Sequence, residues 1–137
     1  LFAKMININA GFDDGLEEKM TVVNYRGLLG KIIHSSANNS NILLITDPNS
    51  SISVKTVAND IFLIMKGSDD GIHLESTFIK GEKSPKVGDL VVTSGSAQVL
   101  PKGILVGKIV KINKNKFYVL PFVDFNNIDY VQIVKSK

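Results

Sequence analysis

Apolar and polar residues alternate along almost the whole chain, in short segments separated by polar turns. Ile6 and Ile8 alternate with asparagines, and the same period returns at residues 52–57. Successive side chains of a strand point to opposite faces of a sheet, so this period predicts half-buried strands. About ten or eleven such segments follow one another at turn spacings of roughly eight to twelve residues, which favours an all-β sandwich or barrel.

The sharpest change of pattern lies at residues 43–51, Leu-Leu-Ile-Thr-Asp-Pro-Asn-Ser-Ser. The apolar run is typical of a strand that is buried on both faces. Asp47 can accept a hydrogen bond from the backbone two residues on, Pro48 presets φ for a turn, and Asn49 tolerates left-handed φ. We therefore predict a sharp corner here, between two sheets or two small barrels.

Other turns and irregularities are also readable. The Gly-Ser-Asp-Asp-Gly cluster at 67–71 predicts a hairpin, after which Ile72 and Leu74 would share one face with residues 76 and 78. Gly107, inside an otherwise apolar segment, indicates a bulge or a barrel corner. Good helix formers at residues 13–20 are too few for more than one turn.

Composition narrows the classes of protein that remain. The 137 residues suffice for one ordinary domain or two very small ones, and the apolar fraction of 44% can form a packed core. Sixteen basic and thirteen acidic residues leave a mixed surface. Cysteine is absent, which excludes thiol catalysis, cysteine zinc sites and disulfides. Leu1 leads directly into strand-like sequence without a starting methionine, so we expect a piece of a longer protein.

Candidate catalytic, metal and nucleotide sites are weak. His34, Asp47 and Ser94 follow the order of a chymotrypsin-like triad, but no Gly-rich elbow surrounds the serine and Asp47 is better explained as a turn residue. His34 and His73 are the only histidines and have no ligand cluster around them. The glycines lack phosphate-loop spacing. We predict no catalytic, cofactor-binding or metal-binding residues.

Four lysines, Lys108, Lys111, Lys114 and Lys116, lie along one predicted hairpin around a turn at 113–116. Together with a sequence pI near 9.1 they support an alternative function, a nucleic-acid- or polysaccharide-binding β-barrel. Base stacking would require interleaved aromatic residues, and too few are close. We therefore favour lysines that protect an edge strand, and no binding of nucleic acid.

Three blocks of the chain resemble one family. The opening block has Asp-Gly-Leu at 14–16, Met-Thr-Val-Val-Asn at 20–24 and Gly-Leu-Leu-Gly-Lys at 27–31. The central block is residues 43–51, and the third comprises residues 87–95 and 100–107. In this order and spacing they are similar to the rod shape-determining protein MreC of bacteria. Lys19 departs from the pattern, because such proteins commonly have glycine there.

The resemblance implies two small β-barrels with a chymotrypsin-like topology but no protease site. Because closing a longer loop costs little extra free energy, we favour a second barrel inserted in the first, and a sequential split near Pro48 is the alternative. The predicted domains are residues 1–54 with 121–137, and residues 55–120. It also implies a non-enzymatic scaffold of the cell-elongation machinery in the bacterial periplasm, anchored to the inner membrane through a segment absent from this chain. Its implied partners are further copies of itself, as a dimer or filament, the elongation-specific penicillin-binding transpeptidase, MreD and the actin-like MreB.

A scaffold needs an exposed surface that other proteins can bind, so exposed apolar residues on edge strands and loops are the candidates. The predicted partner-binding residues are the loop tip and the aromatic residues of the last strands, namely Val99, Leu100, Pro101, Phe117, Tyr118, Phe122 and Tyr130.

Overall fold

The computed structural model describes residues 4–77, 83–96 and 100–135. It confirms the all-β fold and contains a 3-10 turn at Phe12–Asp14. The described residues form eleven strands: β1 Met5–Ile8, β2 Thr21–Asn24, β3 Gly27–Ser35, β4 Ser40–Leu44, β5 Ser51–Thr56, β6 Phe62–Gly67, β7 Leu74–Thr77, β8 Leu90–Thr93, β9 Leu105–Asn113, β10 Lys116–Pro121 and β11 Gln132–Val134.

Two β-structures share the chain. Strands from both of its ends form a five-stranded antiparallel sheet in the order β1-β4-β3-β2-β11. The strands between them form a closed six-stranded barrel in the order β10-β7-β6-β5-β8-β9. The barrel is therefore inserted in the other β-structure, as predicted, and that structure, which was predicted as a small barrel, is a five-stranded sheet in the described residues. The barrel strands run from Ser51 to Pro121, whereas the sequence placed the inner barrel at 55–120. The division into two domains stays a prediction.

The corner at Asp47 separates the two structures. The side chain is only 1% exposed, and its Oδ1 accepts a hydrogen bond of 2.7 Å from the Asn49 N–H, the predicted turn contact. Its Oδ2 accepts a second bond of 2.6 Å from the N–H of Lys4, immediately before β1. One carboxylate thus ties the start of the sheet to the turn that enters the barrel.

Two buried clusters form the core, one in each β-structure. The sheet cluster includes Leu29, Ile32 and Ile42, and the barrel cluster includes Met65 and other inward residues of its strands. Leu28, a residue of β3, belongs to the barrel cluster, although the adjacent Leu29 belongs to the sheet cluster. A register shift between β2 and β3 lies at this point, and such a bulge changes the direction of neighbouring side chains. The sheet thereby contributes directly to the barrel core.

Close backbone approach requires glycine at the junction and within the barrel. A Cβ on Gly27 would lie 2.3 Å from the Leu105 carbonyl oxygen, so only glycine lets β3 pass this near to β9. A Cβ on Gly107 would lie 2.2 Å from the Leu120 carbonyl oxygen. The β8–β9 register shifts beside Gly107, which confirms the predicted irregularity at this glycine.

The hairpin predicted at 67–71 is present, with β6 and β7 paired on either side and Gly71 at φ +71°. The face predicted after it is only partly correct. Leu74 and Ser76 are buried, but Ile72 lies in the turn and is 58% exposed, because regular alternation begins only at β7. Residue 78 lies outside the described residues.

Candidate interaction surface

A row of side chains crosses the outside of the barrel on four neighbouring strands. Phe62 of β6 is opposite Lys55 of β5, and Lys55 is opposite Val92 of β8. Val92 is in turn opposite Leu105 of β9. Opposite residues of antiparallel strands point to the same face, so these four side chains are neighbours.

A second row lies beside the first. The Val57 N–H donates a hydrogen bond of 2.9 Å to the Leu90 carbonyl, and Leu90 is opposite Lys108. Leu90 and Val92 are two residues apart on β8, so they lie on the same face. We call the two rows the outer barrel patch, defined by Lys55, Val57, Phe62, Leu90, Val92, Leu105 and Lys108.

The patch is apolar and basic. Phe62 is 57% exposed, Val57 54% and Leu90 45%. Lys55 is bound to Asp60 at 3.0 Å, whereas Lys108 forms no ion pair with any described residue. Contiguous exposed apolar side chains on a sheet are typical of a protein-binding surface. The patch is therefore the strongest candidate docking face in the described part of the chain.

A groove of about 300 Å³ adjoins this patch at Leu105. Its walls come from the β2–β3 turn and from the segment before β9, and they include Tyr25, Arg26 and Pro101. Tyr25 is 88% exposed, and the Arg26 guanidinium lies 5.3 Å from its ring centre. A hydrogen bond to the Tyr25 hydroxyl raises the pKa of Arg26. The groove extends the candidate surface to the sheet–barrel junction.

The residues predicted for partner binding are distributed over different environments. The prediction that Phe117 lies on the surface is wrong, because Phe117 is 3% exposed and packs in the barrel core. Val99 lies outside the described residues. Leu100 is half-buried against the barrel core. The carbonyl of Pro101 accepts a hydrogen bond of 2.6 Å from the Thr93 hydroxyl.

The remaining predicted residues reach the surface at separate places. Tyr118 is half-buried, with the Lys111 ammonium 5.5 Å from its ring centre. Phe122 is half-buried, and Tyr130 is 87% exposed on the segment before β11. A role of these residues in binding stays a prediction. Among the predicted residues that the structure describes, only Pro101 lines the groove next to the outer barrel patch.

Sequence reasoning missed the outer barrel patch, although a signal was present. Residues 61–65 and 90–92 are apolar at successive positions rather than at alternate ones. A strand with this pattern has apolar side chains on both faces, and in a closed barrel one of those faces is outside. The uninterrupted runs thus marked an apolar outer face.

The three residues that resemble a protease triad are held by other contacts. Asp47 is buried at the corner, and both of its oxygens accept backbone hydrogen bonds. The Ser94 hydroxyl donates to that of Ser96 at 2.9 Å. His34 is exposed on β3. No hydrogen bond in the described ranges joins any two of the three.

The four lysines lie on the β9–β10 hairpin and the turn between its strands, as predicted, but the prediction that they protect an edge strand is wrong. Strands β9 and β10 pair with each other and also with β8 and β7, so the closed barrel leaves neither of them as an edge. Lys116 forms an ion pair of 3.2 Å with Glu75, whose hydrogen bond raises the pKa of Lys116. Lys111 covers Tyr118, the aromatic ring that stacking on a base would need.

One carboxylate has a strongly altered acidity. Partial burial opposes ionisation of Asp70, but hydrogen bonds from the backbone N–H groups of His73 and Ile72 and from the His73 ring outweigh it and lower its pKa to about 2. The His73 Nδ1 lies 2.7 Å from Asp70 Oδ2. The pair stabilises the β6–β7 turn.

Groups that could supply other chemistry were searched within the described ranges. No three His, Asp or Glu side chains in them come together as metal ligands. None of their helical segments is both long enough and apolar enough to traverse a bilayer.

The fold and its exposed features define a class of protein: an all-β module in which a barrel is inserted in a sheet and the accessible features are apolar and basic surfaces. The chain belongs to the MreC family. Residues 1–135 match the family model described as rod shape-determining protein MreC, barrel core.

Individual relatives agree with this assignment. The cell shape-determining protein MreC of Caulobacter vibrioides is 35% identical over 99% of this chain and 39% of its own length. The crystal structure of MreC from Pseudomonas aeruginosa superposes with a TM-score of 0.90 at 27% identity, over 98% of this chain and 90% of that one. The chain thus spans about two fifths of the Caulobacter protein.

A third comparison concerns an assembly. A solved complex between penicillin-binding protein (PBP2) and MreC from Helicobacter pylori contains a chain with a TM-score of 0.65 and 20% identity to this one. The match covers 88% of this chain and 90% of that chain. At this identity the likeness shows the fold.

Proposed function

We propose that this chain is the barrel module of a cell shape-determining scaffold, which binds a penicillin-binding transpeptidase of the elongation machinery and catalyses no reaction itself. The observation that carries the proposal is the family match over residues 1–135. The complex of the Helicobacter pylori relative with PBP2 supports the choice of partner. The named relative is a cell shape-determining protein, which supports a structural role.

The same proposal includes a cellular location and self-association. The module works in the bacterial periplasm, anchored to the inner membrane through a segment outside this chain, together with MreD and MreB. It also self-associates as a dimer or filament. The two edges of the five-stranded sheet, β1 and β11, are the described strands that have a free side for strand addition. Sedimentation velocity over a range of concentrations tests this, and a single unchanging monomer peak contradicts it.

We place the transpeptidase on the outer barrel patch. Apolar side chains at the centre of an interface contribute most of its binding free energy, and Phe62 and Leu90 are 57% and 45% exposed on the patch. The lysines beside them fit a partner surface that carries carboxylates. Replacing either apolar residue removes contact area without disturbing the barrel core.

The test is calorimetric titration of this chain with the periplasmic part of the transpeptidase of the same organism. We expect Phe62→Ser and Leu90→Ser each to weaken binding about tenfold, which corresponds to about 1.4 kcal/mol. Phe12→Ser, on the 3-10 turn beside the sheet, is the control, because Phe12 is 56% exposed, close to the 57% of Phe62, and lies outside the patch. It should bind like the parent chain. Absence of binding by the parent chain contradicts the function. Binding that both patch variants retain contradicts only the docking face.

A further inference from the structure

A small pocket lies where the five-stranded sheet meets the barrel. Its buried wall consists of Leu28 from β3, Ile45 from the corner and Ile52 from β5, which are 0%, 1% and 8% exposed. Less buried residues at its edge include Lys31 and Ser51. We call it the junction pocket. The junction pocket combines an apolar wall with a few polar groups, as small-ligand sites do.

The size of the junction pocket limits its ligand. The cavity volume is about 70 Å³. That is roughly half of the ~150 Å³ in which an apolar cavity binds benzene, and well below the ~300 Å³ of a site for a drug-sized molecule or cofactor. An isopropyl or isobutyl group fits this volume. The pocket therefore suits a single aliphatic side chain rather than a whole cofactor.

The charge at the edge of the pocket limits the ligand further. Lys31 is half-buried and forms no ion pair with any residue of 4–77, 83–96 or 100–135. Its neighbours across the sheet are Thr21 and Leu43, both neutral. A carboxylate on the ligand would give this ammonium group the charged partner that the fold does not supply, and the Ser51 hydroxyl could donate to the same group.

We propose that the junction pocket binds a peptide segment in which an aliphatic side chain lies next to a carboxylate. The aliphatic group packs on Ile52, above the fully buried Leu28 and Ile45, and the carboxylate pairs with Lys31. Either a chain-terminal carboxylate or an adjacent Asp or Glu side chain supplies the charge. This inference goes beyond the proposed function and depends on neither the transpeptidase nor the outer barrel patch.

The test is an NMR titration of the ¹⁵N-labelled chain with three probes: acetyl-leucine, acetyl-leucine amide, and acetyl-Leu-Glu amide. We expect acetyl-leucine to give saturable, millimolar shifts of amides around Gly30 and residues 50–53. The amide, which lacks the carboxylate, should bind at least about fivefold more weakly. Saturable binding by either carboxylate probe supports the proposal, and the tighter of the two identifies the source of the charge.

Two variants and a control locate the site. Lys31→Met keeps the length of the side chain and should weaken acetyl-leucine about fivefold while leaving acetyl-leucine amide unchanged. Ser53→Leu places an aliphatic side chain in the pocket and should abolish the shifts. Lys114→Met, at an exposed lysine in the turn between β9 and β10, should change nothing. Unsaturable shifts with both carboxylate probes overturn the proposal. So does binding of acetyl-leucine amide that equals that of the tighter carboxylate probe, or an unchanged affinity of that probe in Lys31→Met.

Discussion

At the residue scale, the Asp47 side chain links its own turn to two backbone N–H groups, those of Asn49 and Lys4. Its own turn is local, so the hydrogen bond to the Asn49 N–H follows from the Asp-Pro-Asn sequence. The bond to the Lys4 N–H spans 43 residues of sequence and depends on β1 pairing with β4. The first contact could be predicted from neighbouring residues, whereas the second required the folded sheet.

Lys19 is the clearest local strain in the described chain. Its φ is +74°, a left-handed conformation that costs a residue with a Cβ about 1 kcal/mol or more. We expect Lys19→Gly to raise the free energy of unfolding by up to about 1 kcal/mol, since glycine's larger unfolded-state entropy offsets part of the gain. Urea denaturation measures the change. Lys19→Ala, which keeps a Cβ, should give no increase, and an equal increase there contradicts the explanation.

Asp70 gives the fold a pH dependence at the acid end. Its pKa of about 2 in the folded state lies below its usual value of 3.8, so its stabilising effect is present above about pH 4 and is lost as the pH falls towards 2. Because the side chain is 44% exposed, we expect less than about 1 kcal/mol.

Thermal unfolding of Asp70→Asn and of the parent chain, compared from about pH 2 to about pH 7, measures the effect. The variant should be less stable than the parent chain near neutral pH, and the two curves should converge at the acid end. Asp69→Asn, at the adjacent exposed carboxylate, is the matched control. A stability difference that stays constant down to the acid end contradicts the prediction.

Strands and turns follow mostly from local pattern at the element scale. The turns at 25–26, at 67–71 and at 114–115 lie where glycine, aspartate and asparagine stand in the sequence. The local pattern did not predict which side chains of the last strands point into the core. Phe117 and Tyr118 are adjacent aromatic residues, and the register of β10 against β7 and β9 turns the first into the core and the second outwards.

Gly107 belongs to the element scale because it lets β9 and β10 pair closely. Alanine there would place a Cβ 2.2 Å from the Leu120 carbonyl oxygen and 2.8 Å from a methyl group of Val119. We expect Gly107→Ala to lower the free energy of unfolding by about 1–3 kcal/mol through this overlap. Lys108→Ala, at the exposed adjacent position, should change it by less than about 0.5 kcal/mol. Urea denaturation compares the two, and equal stabilities refute the steric argument.

Leu28 couples sheet and barrel at the scale of the whole molecule. It lies on a sheet strand, is fully buried, and packs with the barrel cluster. We expect Leu28→Ala to lower the free energy of unfolding by about 2–5 kcal/mol, as for other large core truncations.

Hydrogen exchange distinguishes this coupling from an ordinary core defect. Leu28→Ala should speed exchange of amides in β5, β6 and β8 as well as in the sheet, because the cavity opens in the barrel. Leu29 is the neighbouring fully buried residue of the sheet cluster, so Leu29→Ala should speed exchange mainly of the sheet amides. Identical exchange patterns in the two variants would show that the sheet and barrel open as one unit.

The sequence by itself determined the all-β class, the corner at Asp47, the principal turns and the family, because these depend on side-chain period, turn chemistry and short ordered blocks. Tertiary structure alone decided which apolar residues are outside. Phe62 and Leu90 are exposed while Phe117 is buried, although all three lie in apolar strand segments. A strand's pattern shows that its two faces differ, but only closure of the barrel and its register select the face that meets solvent.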